Sequence, residues 1–217
     1  MEQLIKLENI IFGYSKDKPI LKNLNFGLNT NEKIALLGEN GSGKTTLFHV
    51  IMGLLQVYNG KIYLFKKEMK NESDFKKYRT KIGLLFQDSD DQLFSPTVLD
   101  DVAFGPLNLG YKGKEAKEIA ENTLRQLKIS HLTDRITYKL SGGEKRMVAL
   151  ATILSMSPEV LLLDEPTNGI DEKHLELLID FLKNTNLSYI VISHDKNFIK
   201  EVTNKTIFLE NGKLKRG

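Results

Sequence analysis

Residues 38–46 read GENGSGKTT. The run follows a short apolar stretch, KIALL (33–37), and precedes a segment in which Leu47, Val50, Ile51 and Leu54 recur at i, i+3, i+4 and i+7. That period buries one face of a helix. A glycine-rich loop between an apolar strand and an amphipathic helix is the setting that G-x-x-x-x-G-K-[ST] needs, and residues 38–45 fit it. Glycines let successive backbone N–H groups turn toward one anion, and the helix N-terminus adds partial positive charge. Lys44 brings an ammonium to the outer phosphates, and the Thr45 hydroxyl suits Mg²⁺, which prefers oxygen ligands. The competing reading, a flexible glycine turn, has no need of the flanking strand and helix.

Outward from this loop, short apolar runs alternate with helical patterns. Strand candidates are LIKLENIIF (4–12), KIALL, KIYLF (61–65), KIGLLF (81–86), VLLLD (160–164), YIVIS (189–193) and TIFLE (206–210). KIALL, VLLLD and YIVIS are apolar almost throughout, as in parallel strands covered on both faces, whereas LIKLENIIF and KIYLF suit a more antiparallel layer. Helices are expected at about 44–55, 114–128, 143–155, 171–184 and 196–203. Between Gln87 and Leu140 helical signals dominate, so a helical subdomain is expected at about 88–155, inserted in one domain of 1–217. Within it, Pro96 and Pro106 are read as bracketing a short helical segment.

The 217 residues carry 31 basic and 28 acidic side chains, mixed along the chain, so no nucleic-acid surface is expected. There is no cysteine, which excludes disulfides and thiolate metal sites. No signal peptide is read at the N-terminus, and the longest apolar runs fall far short of a membrane span. A cytosolic chain is expected, so any membrane has to be supplied by a partner.

VLLLDEP ends a buried strand on two carboxylates, Asp164 and Glu165. Beside a phosphate loop the first is expected to hold the Mg²⁺ shell and the second to act on the attacking water as general base. His194, after YIVIS, stands in the same strand-to-loop position and is a candidate to contact a terminal phosphate or orient water. Gln87, just past KIGLLF, has an amide oxygen able to reach Mg²⁺ or water. A second glycine-rich stretch, LSGGE (140–144), has two readings. Ser141 and Glu144 form the S-x-x-E capping box, which only starts a helix. A helix start does not need Gly142 and Gly143, each of which costs up to about 1 kcal/mol there. Some close approach to their backbone is therefore expected, and a phosphate of a second subunit's nucleotide satisfies it in a two-fold pair.

In order, GENGSGKTT, Gln87, LSGGE, VLLLDEP, Asp171 in TNGID and His194 in ISHD resemble the ATP-binding cassette (ABC) ATPases over essentially the whole chain. The resemblance implies an α/β fold: a P-loop NTPase core, its mostly parallel sheet flanked by helices, with an N-terminal antiparallel β layer and an inserted α-helical subdomain. It implies ATP and Mg²⁺ as ligands. Nucleotide-binding residues would be Tyr14, Gly38, Glu39, Asn40, Gly41, Ser42, Gly43, Lys44, Thr45 and Thr46, with Ser141, Gly142, Gly143 and Glu144 serving the partner's nucleotide. Tyr14 matches the aromatic that stacks on adenine; without the resemblance it reads as a strand-end aromatic. Thr45, Gln87 and Asp164 would hold the metal, and Glu165, His194 and Gln87 would serve hydrolysis. Family members act as head-to-tail dimers, so a second copy or close paralogue is implied. Two motifs depart from the common pattern: Glu144 stands where Gln is commoner, and Asn168, Gly169 and Ile170 precede Asp171.

DSDDQLF (88–94) and AFGP (103–106) resemble segments of the energy-coupling factor (ECF) importers, including the cobalt and nickel ATPases, on Gln87, Asp90, Asp91, Gln92, Leu93 and Phe94. That implies an integral membrane coupling subunit, a substrate-binding membrane subunit, and peripheral attachment at the cytoplasmic face of the cell membrane. The apolar pair Leu93 and Phe94 is read either as the anchor of its own loop or as a partner surface. A soluble ABC ATPase acting on DNA or ribosomes is the alternative function.

Overall fold

The computed structural model describes residues 2–216, the side chain of Arg216 excepted, so both ends of the expected 1–217 domain lie outside the described residues. In chain order the elements are β1 (Gln3–Phe12), β2 (Leu21–Asn29), β3 (Lys33–Leu37), α1 (Lys44–Ile51), β4 (Asn59–Leu64), β5 (Lys67–Glu68), α2 (Glu72–Arg79) and β6 (Ile82–Leu85). Then follow α3 (Val98–Asn108), α4 (Gly113–Gln126), α5 (Gly142–Leu154), β7 (Val160–Asp164), α6 (Glu172–Asn184), β8 (Ser188–Ile192), α7 (Lys196–Val202), β9 (Lys205–Glu210) and β10 (Lys213–Arg216). The chain divides into two compact units: Met1–Ile82 with Glu159–Leu162 and Asn186–Gly217, and Gly83–Pro158 with Leu163–Thr185.

An antiparallel sheet in the first unit has the order β2-β1-β4-β5. Its register explains a pattern that the sequence disguises. On β1 the buried residues change parity, Ile5 and Leu7 before Ile10 and Phe12. The change is made by a bulge: three steps on β1, Leu7 to Ile10, face two on β2, Phe26 to Leu24. Asn9, in the bulge, has φ 51 and donates its N–H to Asn25 Oδ1 at 3.0 Å; asparagine tolerates that left-handed backbone. A second bulge on β2, at Asn23 with φ 51, sets Leu21 opposite Phe12. Leu21, Leu24 and Leu28 are thereby all buried at spacings of a helix rather than a strand, which is why the sequence did not disclose β2.

The six-stranded sheet has the order β10-β9-β3-β8-β7-β6, with β3 parallel to both β8 and β9, and β10 antiparallel at the edge. Ile34, Ala35 and Leu36 on β3 and residues 189–192 on β8 are buried, as expected of strands covered on both faces. The expected α/β architecture with an antiparallel layer is therefore present.

The second unit packs α3, α4, α5 and α6 around Val102, Leu124, Met147 and Leu178. Thr97 caps α3, accepting from Asp100 N. The buried carboxylate of Asp101 is satisfied by the N–H groups of Phe94 (3.2 Å) and Ser95 (2.9 Å) and by Thr137 Oγ1 (3.3 Å). Pro106 does not close this helix, as the sequence suggested, but lies inside it; the turn is made at Gly110, φ 95. Among the described residues no helix is long and apolar enough to cross a membrane.

Candidate functional site

The first unit holds the phosphate loop, Tyr14 and His194. Between β3 and α1 the backbone takes φ 153 at Gly38, 77 at Gly41 and 101 at Gly43. At Gly43 glycine is doubly required, because a Cβ would also lie 2.6 Å from Ile20 Cγ2. At Gly41 a Cβ would meet nothing within 4 Å, so that part of the loop is open. A cavity of about 810 Å³ lies along residues 38–42, with Ile20, Lys22 and residues 208–212 also lining it.

Asn71, Thr97, Ser141, Asp171 and Asp195 each cap their helices through a side-chain oxygen, whereas Gly43 gives α1 none and Lys112 gives α4 none. The Ser42 hydroxyl is buried with no hydrogen-bond partner among the described residues. Lys44 Nζ donates to the loop's own carbonyls, Gly38 O at 2.8 Å and Glu39 O at 3.0 Å. An uncapped helix start, an unsatisfied hydroxyl and an ammonium on the same loop form a cradle that a phosphate fits. Tyr14, 70% exposed, stands edge-on to Phe12, and its hydroxyl is 3.5 Å from Thr46 Oγ1. His194 is exposed just after β8, beside the Asp195 cap of α7.

The second unit holds Gln87, LSGGE and the acid pair. Asp164, at the end of β7, and Glu165 are buried. Glu165 has φ 47, a left-handed backbone that costs a non-glycine residue about 1–2 kcal/mol. The residues around Gln87 are fastened to α5. Arg146, only 3% exposed, donates through Nη1 to Phe86 O and through Nη2 to Gln87 O, both at 2.6 Å. Burial lowers its pKa, and the carboxylates of Asp88, Asp164 and Glu165 oppose the shift. Gln92 accepts from Phe86 N at 3.2 Å and donates to Ala149 O at 3.0 Å and Thr152 Oγ1 at 3.1 Å. Sequence reading assigned no role to Arg146; the available signal was a guanidinium directly before Met147 and Val148 on a buried helix.

At LSGGE the capping box is formed: Ser141 N donates to Glu144 Oε2 at 2.7 Å and Ser141 Oγ accepts from Glu144 N at 3.3 Å. The Ser141 N–H is the main reason the Glu144 carboxyl titrates below the ordinary range. The glycines have a close neighbour that the sequence did not reveal, the 169–174 segment of the same unit. A Cβ on Gly142 would lie 2.8 Å from Gly169 O, and one on Gly143 would collide with Asp171 Oδ2 and sit 3.0 Å from His174 Nδ1. Tight packing thus supplies a reason for the glycine pair that needs no ligand, while Ser141 and Gly142 remain exposed.

A phosphate loop behind a parallel strand, in an α/β fold with an acid pair ending a second strand, defines a P-loop NTPase. The chain belongs to the ABC transporter family, whose description, "ABC transporter", matches residues 21–168. A provisionally named ABC transporter ATP-binding protein of Brucella suis biovar 1 (strain 1330) is 48% identical over 99% of this chain and 89% of its own length. An uncharacterized ABC transporter ATP-binding protein of Haemophilus influenzae is 46% identical over 88% of each. Among solved structures, CbiO1 from Clostridium perfringens, part of the ABC transporter complex CbiONQ, matches with a TM-score of 0.88 and 34% identity over 99% of this chain and 88% of that one. An ATP-binding cassette dimer in a post-hydrolysis state, bound to ADP and phosphate, matches with a TM-score of 0.88 and 26% identity over 98% and 97%. The chain is accordingly an ABC ATPase, a cassette whose ATP hydrolysis powers a transporter.

Proposed function

We propose that this chain is the ATP-binding and hydrolysing subunit of an ECF-type importer for a transition-metal ion or vitamin. It works as a head-to-tail dimer with a second copy or close paralogue. The observation that carries the nucleotide reading is the phosphate loop, with Ser42 Oγ unpartnered and Lys44 Nζ resting on its own loop carbonyls. In this reading Tyr14 receives the adenine, residues 38–46 hold the phosphates, and residues 141–144 face the nucleotide of the other subunit. Glu165 is the general base, and Gln87 and His194 orient water and the terminal phosphate. The hard oxygen donors of Thr45, Gln87 and Asp164 suit Mg²⁺, which would neutralise charge on the phosphates during transfer.

The importer reading is supported by the likeness to CbiO1 and by an apolar surface in the second unit. Phe94, 67% exposed, stands edge-on to Phe104 at 4.7 Å, and Leu107, Leu109 and Tyr111 are also exposed. Exposed aromatic side chains gathered in this way suit an integral membrane coupling subunit, which with a substrate-binding membrane subunit would hold the chain at the cytoplasmic face. The test is Glu165→Gln in the tagged chain, purified from membranes. The expected product binds ATP without turning it over, is dimeric, and carries a multi-span membrane protein. Unreduced turnover removes Glu165 from the role of base, and a monomer after ATP loading, or a chain that carries no multi-span membrane protein, refutes the proposal.

A further inference from the structure

We propose that His174 is a positioning residue, which fixes the Asp171 carboxylate under the start of α5 so that LSGGE and the 169–174 segment present one rigid face. The proposal rests on the shared-site ATPase reading above. His174 lies on the first turn of α6 and takes hold of both oxygens of one carboxylate. Its Nδ1 is 2.6 Å from Asp171 Oδ2, and its backbone N–H donates to Oδ1 at 3.1 Å. An ionised carboxylate only accepts, so Nδ1 carries the proton. This hydrogen bond is the first cause of an Asp171 pKa below the ordinary range.

Burial differs sharply between the partners: the His174 side chain is 9% exposed and that of Asp171 52%. The imidazole is thus interior support for a carboxylate turned to the surface, where a second subunit can meet it. His174 Nε2 is buried with no hydrogen-bond partner among the described residues. An apolar side chain would fill the same space without that unsatisfied nitrogen, so what the imidazole adds is the Nδ1–H. Gly143 rests on both members of the pair, which leaves the first turn of α5 no room to shift toward them.

The test uses the full chain in four forms: His174→Leu, His174→Asn, Asp171→Ala, and Asp171→Ala with His174→Leu. Asparagine places an amide N–H near the position of Nδ1, whereas leucine keeps volume alone. The leucine variant is expected to lose about tenfold in kcat, the scale of one hydrogen bond to a charged group. ATP binding by the monomeric subunit should be unchanged, because the phosphate loop belongs to the other unit, so the loss falls on turnover at the shared site. The asparagine variant should recover most of the loss, and leucine should add nothing on the Asp171→Ala background. Wild-type turnover in the leucine variant, equal losses in leucine and asparagine, or full additivity with Asp171→Ala would each overturn the proposal. Glu165→Gln run alongside separates the two readings: if it hydrolyses ATP at the wild-type rate, the reading of the shared site with Glu165 as general base fails, whatever His174 does.

Discussion

Replacing Arg146 with methionine removes a buried guanidinium and leaves its two acceptors where they are. In the native chain Nη1 and Nη2 meet Phe86 O and Gln87 O at 2.6 Å, the short distances of charge-assisted bonds. Two effects oppose each other. Methionine fills a similar volume and relieves the desolvation that lowers the Arg146 pKa. Against this, the backbone carbonyls cannot be substituted away, and each bond to a charged group contributes about 1.5–3 kcal/mol. Replacing both partners of a buried polar contact by apolar groups can be nearly neutral, but removing one alone leaves the other unsatisfied at about 1–3 kcal/mol per group. The second case applies here, and a net loss of about 2–4 kcal/mol is expected. For a chain of this size that is a fall in Tm of roughly 5–12 °C. Arg146→Lys keeps the charge without the planar fork and should fall about halfway between. The assay is thermal unfolding with ATP turnover measured in parallel, since slack at residues 86–87 should also slow hydrolysis through Gln87. A methionine variant melting within about 2 °C of wild type would refute the reasoning, as would a lysine variant fully equal to arginine.

Glu144→Gln keeps the capping-box geometry but not the charge. The folded-state pKa of Glu144 is below 4.5, so its stabilisation is present above pH 4.5 and fades as pH falls from 4.5 toward the folded value. The glutamine variant should therefore be less stable than wild type at neutral pH and converge with it in acid, as read from melts across that range. Gly142→Ala gains up to about 1 kcal/mol of helix propensity, but its Cβ would lie 2.8 Å from Gly169 O, an overpacking worth about 1–3 kcal/mol. A lower Tm is expected, and a higher one would show that the Gly169 carbonyl yields.

Much of the architecture was legible because its signals are local. KIALL, VLLLD and YIVIS announce their strands by nearly continuous apolarity, and α1 and α5 carry helical stripes, although α1 ends at Ile51 and leaves Leu54, expected on its buried face, half exposed. α2 was not legible: Asn71 caps it well, but none of its residues is buried, so it has no apolar stripe to read. At the candidate site, the loop at 38–46 and the Ser141 to Glu144 capping box could be read directly, because each is complete within a few residues. The roles of Arg146, Gln92 and His174 could not.

The sequence by itself determined the phosphate cradle, the acid pair and the two glycine-rich loops, since these depend on backbone freedom and residue type over spans shorter than ten residues. Tertiary structure decided what those loops rest on. Arg146 finds its acceptors 59 and 60 residues away, and the Gly143 backbone meets His174 on another helix. No periodicity encodes contacts between elements so far apart in the chain, because packing selects the partner only after both helices have formed.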